Sequence, residues 1–401
     1  YDVILYALGS IKPNKGEVLP PTFFPEDVYE TIKEKVRQGT GVVFTGAKNS
    51  SWWGEASPLE EILPATRTGA GNDVDSADIE LKTDSNLLTG TPLKNLPRFN
   101  ANTWEPRKGA EVVASVDGQP LVLTGTYGKG RTLLLGWANT LSPVNSIHLN
   151  RLQFEHGMAI ALRGVAWAAK LDPPVAVWPQ DTRLEAGQPG NAMVKTSGPG
   201  QLHCTLRDTN FRSLHDAVVT STGGDTAVPL PSIPAGRYWL DVIARDENGA
   251  SLGWGSGLVE AEAEAGLNLQ IKTDVYEVGD TVQLAGTLEP VPEGATLGFS
   301  VVDAAGRELA TGTAPGTNRF SFEYDVADVR VPAHTIRVTC YKDGAPWVTG
   351  TTKFFVPIHG WEDYHNILWP EAKNNPENEV MRDVAGITAI MGQYEMSEAA
   401  A

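Results

Sequence analysis

Glu26-Asp27-Val28-Tyr29-Glu30-Thr31-Ile32-Lys33-Glu34-Lys35-Val36-Arg37-Gln38-Gly39-Thr40-Gly41-Val42-Val43-Phe44-Thr45-Gly46 reads as a helix followed by a buried strand. Val28, Ile32 and Val36 recur at i, i+4 and i+8 behind a Pro25-Glu26-Asp27 opening, and Gly39 stops the helix. The run 41–46 shows no polar alternation, as expected of a strand covered on both faces. With the apolar run 3–8 upstream, strand, helix and strand predict a right-handed parallel unit. Further on, the β-rich runs 112–116, 121–126 and 131–137 are separated by Asp117-Gly118-Gln119-Pro120 and Tyr127-Gly128-Lys129-Gly130, which are hairpin turns. A long helix over 151–170 carries Leu152, Met158, Ile160, Ala161, Val165 and Ala168, and Asp172-Pro173-Pro174 breaks the chain after it.

From 175 to 357 the pattern changes to short strands at intervals of roughly ten residues with Gly/Pro turns, the signature of β-sandwiches. Thr182-Arg183-Leu184-Glu185-Ala186-Gly187 and Asp274-Val275-Tyr276-Glu277-Val278-Gly279 place the same Glu-x-Gly turn after an opening strand, which suggests two copies. Arg245-Asp246-Glu247-Asn248-Gly249 and Val302-Asp303-Ala304-Ala305-Gly306 mark hairpin tips. After residue 357 a Trp-rich lead, His359-Gly360-Trp361-Glu362-Asp363-Tyr364-His365, precedes an expected helix over 376–385 and a strand Gly386-Ile387-Thr388-Ala389-Ile390-Met391. The expected fold class is thus multidomain. An α/β, flavodoxin-like domain over 1–172 is followed by two all-β Ig-like sandwiches over 173–264 and 265–357. Segment 358–401 would be a linker and the first elements of a barrel.

The 401 residues are long enough for about two to three domains at the usual size of roughly 150 residues. Lys and Arg number 32 against 49 Asp and Glu, a formal charge of -17, so a phosphate backbone or anionic membrane is repelled and nucleic acid is excluded as a partner. No stretch reaches the ~18 consecutive apolar residues of a membrane helix. Two cysteines, Cys204 and Cys340, exclude a disulfide-rich scaffold and a zinc site of paired thiolates. Both chain ends read as cuts, so a signal peptide or a catalytic domain is expected outside this sequence.

The first region resembles the class I glutamine-amidotransferase-like fold, in the version found in trehalose-utilisation proteins and the trimerisation domain of bacterial β-galactosidases. The residues that carry the resemblance are Tyr1-Asp2-Val3-Ile4-Leu5, the stretch 26–46, and Gly125-Thr126-Tyr127-Gly128-Lys129-Gly130-Arg131-Thr132-Leu133-Leu134-Leu135-Gly136, about a third of the region. Segment 359–391 is similar to the entry of TIM-barrel glycosidase-like proteins. The module order then implies a large secreted or cell-surface glycosidase of the β-galactosidase type. An active amidotransferase carries a cysteine on the turn after the strand equivalent to 42–45, because a positioned thiolate attacks the amide carbon. Here that turn is Gly46-Ala47-Lys48-Asn49-Ser50, without a nucleophile.

Other chemistry is equally thin. Ser50 and Ser51 do not sit in a Gly-x-Ser-x-Gly elbow. His148 and His156 are eight apart and lack the His-Glu-x-x-His spacing of a zinc site. His203, His215 and His334 read as lone packing or surface residues, and His359 and His365 as linker packing. No metal or other cofactor is expected. Glu395, four residues beyond Met391, is a candidate for a barrel mouth, although glycoside hydrolysis needs two carboxylates. Trp52 and Trp53 fall in the loop at the C-terminal edge of a parallel strand, with Trp104 in a second loop; these three are candidates for an interface or a carbohydrate platform. Trp178, Trp239, Trp254 and Trp347 are expected in sandwich cores.

The chain therefore reads as a non-catalytic N-terminal portion whose degenerate first domain serves assembly or positioning. Its partners would be other domains or subunits of the same protein in a homo-oligomer, or a polysaccharide. The alternative is a structural or adhesive surface protein with Ig-like spacers. The turn 46–50 makes one expectation measurable: the chain releases no ammonia from glutamine. Turnover that survives Cys204→Ala with Cys340→Ala but is lost in Ser50→Ala would show a nucleophile where none is read.

Overall fold

The computed structural model describes residues 3–7, 26–45, 59–69, 73–81, 87–96, 99–101, 103–136, 151–209, 211–304, 306–327, 329–357, 367–368 and 389–390. The expected helix over 376–385, the Trp-rich lead, Trp52, Trp53 and Glu395 lie outside these residues. The described chain is mostly β-sheet and forms two compact units. One gathers 1–182 with 191–230 and 237–260, the other 183–190 and 231–236 with 261–401. The α/β region and most strands of the first sandwich thus share a unit, although the sequence suggests a boundary at 172/173.

In the α/β region β1 (Val3–Ala7), α1 (Glu26–Gln38) and β2 (Gly41–Thr45) form the expected unit, with β1 and β2 parallel. β3 (Ile79–Leu81), β4 (Glu111–Val116), β5 (Gln119–Tyr127) and β6 (Gly130–Leu135) complete a sheet ordered β1-β2-β6-β5-β4-β3. Only β1, β2 and β6 run parallel, and the remainder are antiparallel. The sheet is mixed because β4, β5 and β6 are joined by hairpins. Asp117 (φ 48°) and Gly118 (φ 74°) form the two-residue turn between β4 and β5.

Every residue of β2 is buried, because the sheet is covered on both sides. Val42 and Phe44 pack with Tyr29 and Val36 of α1. Val43 packs on the other face with Leu133, Leu135, Ile160 and Ala161, the last two on α2 (Arg151–Ala168). The second hairpin holds the end of α1, with Lys129 N–H donating to Arg37 O at 2.9 Å. A Cβ on Gly128 (φ 59°) would come within 2.5 Å of that carbonyl.

Trp104 corrects the sequence reading. It lies on the strand Thr103–Pro106, buried with Tyr29, Phe44, Leu59 and Ile62. It is a core residue of the α/β region, and its ring offers no surface to a partner or a sugar.

The sandwich strands are β7 (Val177–Pro179), β8 (Gly190–Thr196), β9 (Gly200–Asp208), β10 (Ser213–Ser221), β11 (Gly224–Leu230), β12 (Gly236–Arg245) and β13 (Ser251–Glu262), then β14 (Gly266–Ile271), β15 (Thr281–Glu289), β16 (Thr296–Asp303), β17 (Glu308–Pro315), β18 (Arg319–Asp325), β19 (Ala333–Lys342) and β20 (Ala345–Phe355). The first set pairs as β7-β8-β11 and as a five-stranded sheet in which the short strand Thr182–Glu185 edges β13-β12-β9-β10; the second pairs as β14-β15-β18 and as the four-stranded β20-β19-β16-β17. Apart from that extra edge strand the two topologies coincide, and both are consistent with Ig-like sandwiches. Strict alternation along β15, with Val282, Leu284 and Leu288 buried, puts one face inward.

The Glu-x-Gly turns are equivalent. Gln188 N–H donates to Glu185 O and Asp280 N–H to Glu277 O, both at 3.1 Å. The two hairpin tips singled out in the sequence are not. Asp303, between β16 and β17, corresponds to Asp208 between β9 and β10; in each the carboxylate accepts the backbone N–H four residues on, Arg307 or Arg212, at 2.9 Å. Asp246 lies instead between β12 and β13.

Cys204 on β9 and Cys340 on β19 are both buried and free. Burial pushes the Cys204 thiol up to about 12. Its neutral form therefore contributes stability that is complete below pH 9 and lost as pH climbs toward 12. Native protein should resist iodoacetamide at pH 8, and denaturation without reductant should expose two alkylatable thiols by intact mass. Rapid labelling of native Cys204 would contradict this burial.

Candidate functional site

Helix α2 is apolar on more than one face, and the reason lies in what it touches. Ile160, Ala161 and Ala168 face the mixed sheet. Leu152, His156 and Arg163, spaced by four and seven residues and so on one helical face, turn toward the first sandwich within the same unit. Leu152 packs with Trp239 of β12 and Leu258 of β13.

Beside this contact lies a buried polar chain. Asn95 Nδ2 and His156 Nδ1 are 3.0 Å apart, and His156 Nε2 faces Asp241 Oδ1 at 3.4 Å without forming a hydrogen bond. Asp241 accepts from Ser256 Oγ at 2.7 Å and from Arg207 Nε at 3.0 Å. The Trp239 ring meets His156 edge-on at 5.3 Å. Serine, aspartate and histidine thus come together, but the serine donates to the aspartate and the histidine does not reach it. The serine bonds directly to a carboxylate that Arg207 also holds, with no histidine between them, so the order is not that of a Ser-His-Asp triad and the group ties elements together.

Arg163 makes the deepest tie. It is 8% exposed, and its Nη1 donates to Thr89 O at 2.6 Å. Its Nη2 donates to Trp254 O, while the guanidinium carbon stands 4.0 Å from the Trp254 ring centroid. Burial lowers the guanidinium to about 10, which leaves it charged at neutral pH. Carbonyl dipoles and a π face thus solvate a cation that has left water.

Within the first sandwich, glycine lets β7 lie close against β13. Gly253, Gly255 and Gly257 alternate along β13 against the backbone of Val175, Val177 and Pro179. A Cβ at these positions would lie 1.9, 2.3 and 2.7 Å from the respective carbonyl oxygens. This Gly-Trp-Gly-Ser-Gly ridge is visible in the sequence as glycine at period two, a signal of close backbone approach that the reading above did not use. Nor did that reading place His156 or Arg163 at a junction.

A cleft of about 600 Å³ opens where the segment 90–94 meets the first sandwich. It is lined by Leu93, Lys94, Trp178, Gln180, Asp181, Lys195, Asp225, Trp239 and Ser256, among others. Trp239 is buried, as expected, and Trp254 half-buried. Trp178 departs from the expected core position. It is 39% exposed, because β7 belongs to a three-stranded sheet whose outer face carries it. His334 is a packing residue, stacked on Phe354 at 4.9 Å and lowered in pKa by burial. Among the described residues no group of three or more His, Cys, Asp or Glu side chains could hold a metal ion.

No protein-family model matches the chain, and no curated protein does. Solved structures give partial likenesses only. Cytoplasmic protein STM3548 from Salmonella typhimurium aligns over 42% of this chain and 72% of its own, at 20% identity and a TM-score of 0.30. A tetra-tandem repeat from the extending region of a large adhesion protein covers 69% and 73%, at 14% identity and 0.21. An exo-β-1,4-mannosidase from Opitutaceae bacterium strain TAV5 covers 35% and 24%, at 18% and 0.24.

The glycine ridge supplies a direct test. Gly255→Ala drives a methyl group into Val177 O and Pro179 Cδ, so it should lower the urea midpoint by the equivalent of about 1–3 kcal/mol. An unchanged midpoint would mean that β7 and β13 do not approach in this way.

Proposed function

We propose that this chain is the non-catalytic N-terminal portion of a large secreted, β-galactosidase-type glycosidase, in which an amidotransferase-like α/β region without its nucleophile holds other parts in position. The Arg163 tie carries the reading. A buried charge shared between helix α2 and strand β13 makes the α/β region and the first sandwich one body, as a positioning element requires. The turn 46–50, with Ala47 where a catalytic cysteine would stand, supports the loss of amidotransferase chemistry. Trp52 and Trp53 are the side chains we assign to contact with another domain or a second copy, and Glu395 to the mouth of a barrel that would follow.

A second reading, a structural or adhesive surface protein, draws on the two sandwiches of one topology, which suit serial spacers. Hydrolysis separates the two. Neither predicts activity in residues 1–401, but under the first reading the longer polypeptide cleaves an aryl β-galactoside, and under the second it does not.

The positioning role has its own measurement. Arg163→Met should split the thermal transition of the first unit and enlarge its radius of gyration by small-angle scattering, since two carbonyls lose charged donors worth about 1.5–3 kcal/mol each. A single unshifted transition would remove the support for positioning.

A further inference from the structure

We infer that the cleft beside Trp178 is a binding site for a neutral, β-linked hexose chain. The inference goes beyond the proposed function and holds whether or not a hydrolase follows.

Trp178 carries the argument. A large aromatic ring that packing does not need is left 39% exposed in the wall of a cleft of about 600 Å³, a volume in the range of small-ligand sites. The ring is fixed by its strand, since Trp178 pairs with Lys195 and its neighbours Val177 and Pro179 are buried. Lys195 Nζ sits 5.8 Å from the ring centroid, at the outer limit of a cation–π contact. Its side chain is exposed and can swing aside at little cost.

The same cleft is lined by groups that donate and accept hydrogen bonds. Asp181 is held on both oxygens, Oδ1 accepting from Leu258 N–H at 3.2 Å and Oδ2 from Lys94 Nζ at 2.8 Å. Gln180 and Asp225 are exposed along the same cleft. The axial C–H groups of a pyranose face carry partial positive charge and suit the negative face of an indole, and the ring hydroxyls suit the carboxylates, amide and ammonium groups.

Charge selects among saccharides. The two lysines and two aspartates of the cleft cancel, and the chain as a whole carries -17, so sulfated or uronic-acid chains are repelled at long range. A neutral hexose unit is what remains. Chains of β-1,4-linked units present the flat apolar face the indole needs.

The test is isothermal titration of the whole chain with cellohexaose, mannohexaose and, as a polyanion, heparin. At least one neutral hexasaccharide should bind with little dependence on salt. Trp178→Ala should weaken it by about tenfold, and Trp178→Tyr should retain most of the affinity. Asp225→Ala, at an exposed position, should also weaken binding and guards against misfolding of the tryptophan variant. Failure of both neutral sugars to bind would overturn the inference. So would binding that Trp178→Ala and Asp225→Ala leave unchanged, or preferential, salt-sensitive binding of heparin.

Discussion

The need of one helix to bury two faces governs the arrangement of the first unit. A helix on the surface of a sheet keeps a polar stripe in water, and α1 does so with Glu30, Glu34 and Arg37 exposed. Among its described residues, helix α2 leaves only a narrow strip, with Glu155 and Leu162, exposed. Its sheet-facing residues leave Leu152, His156 and Arg163 pointing away from the sheet, and the sandwich supplies an indole, a carboxylate and carbonyl oxygens to meet them. Arg163 is the critical member. A buried cation without such partners would cost far more than the surrounding apolar contacts return.

Where packing is periodic the sequence is readable. The unbroken apolar run of β2 points to a strand covered on both sides, Asp117-Gly118 to a tight hairpin, and the short strands with Gly/Pro turns after 175 to sandwiches. These signals are local and have a short period. The junction residues have neither property. His156 looks like any helical histidine until Asn95 and Asp241 are brought to it from 61 and 85 positions away. Trp104 and Trp178 were assigned the wrong way round because aromatic type does not distinguish the inner from the outer face of a short strand. Only the sheet partner settles that.

The repeat shows a related limit. The Glu-x-Gly turns were paired correctly because glycine at positive φ after a short acidic turn is a specific requirement, met at Gly187 and Gly279. The hairpin tips do not mark equivalent positions, because aspartate accepting nearby backbone N–H groups is chemistry that any hairpin can use, and it recurs at Asp208, Asp246 and Asp303.

The buried arginine has a consequence for how this chain can change over evolutionary time. Gene rearrangement usually trades modules at linkers, and Asp172-Pro173-Pro174 looks like a permissive seam. A sandwich exchanged at that seam would carry its own β7 and β13 along, but it would still have to offer Arg163 a carbonyl oxygen and an aromatic face. Exchange at that seam would otherwise leave a buried cation without its partners, so the α/β region and the first sandwich constrain one another's change.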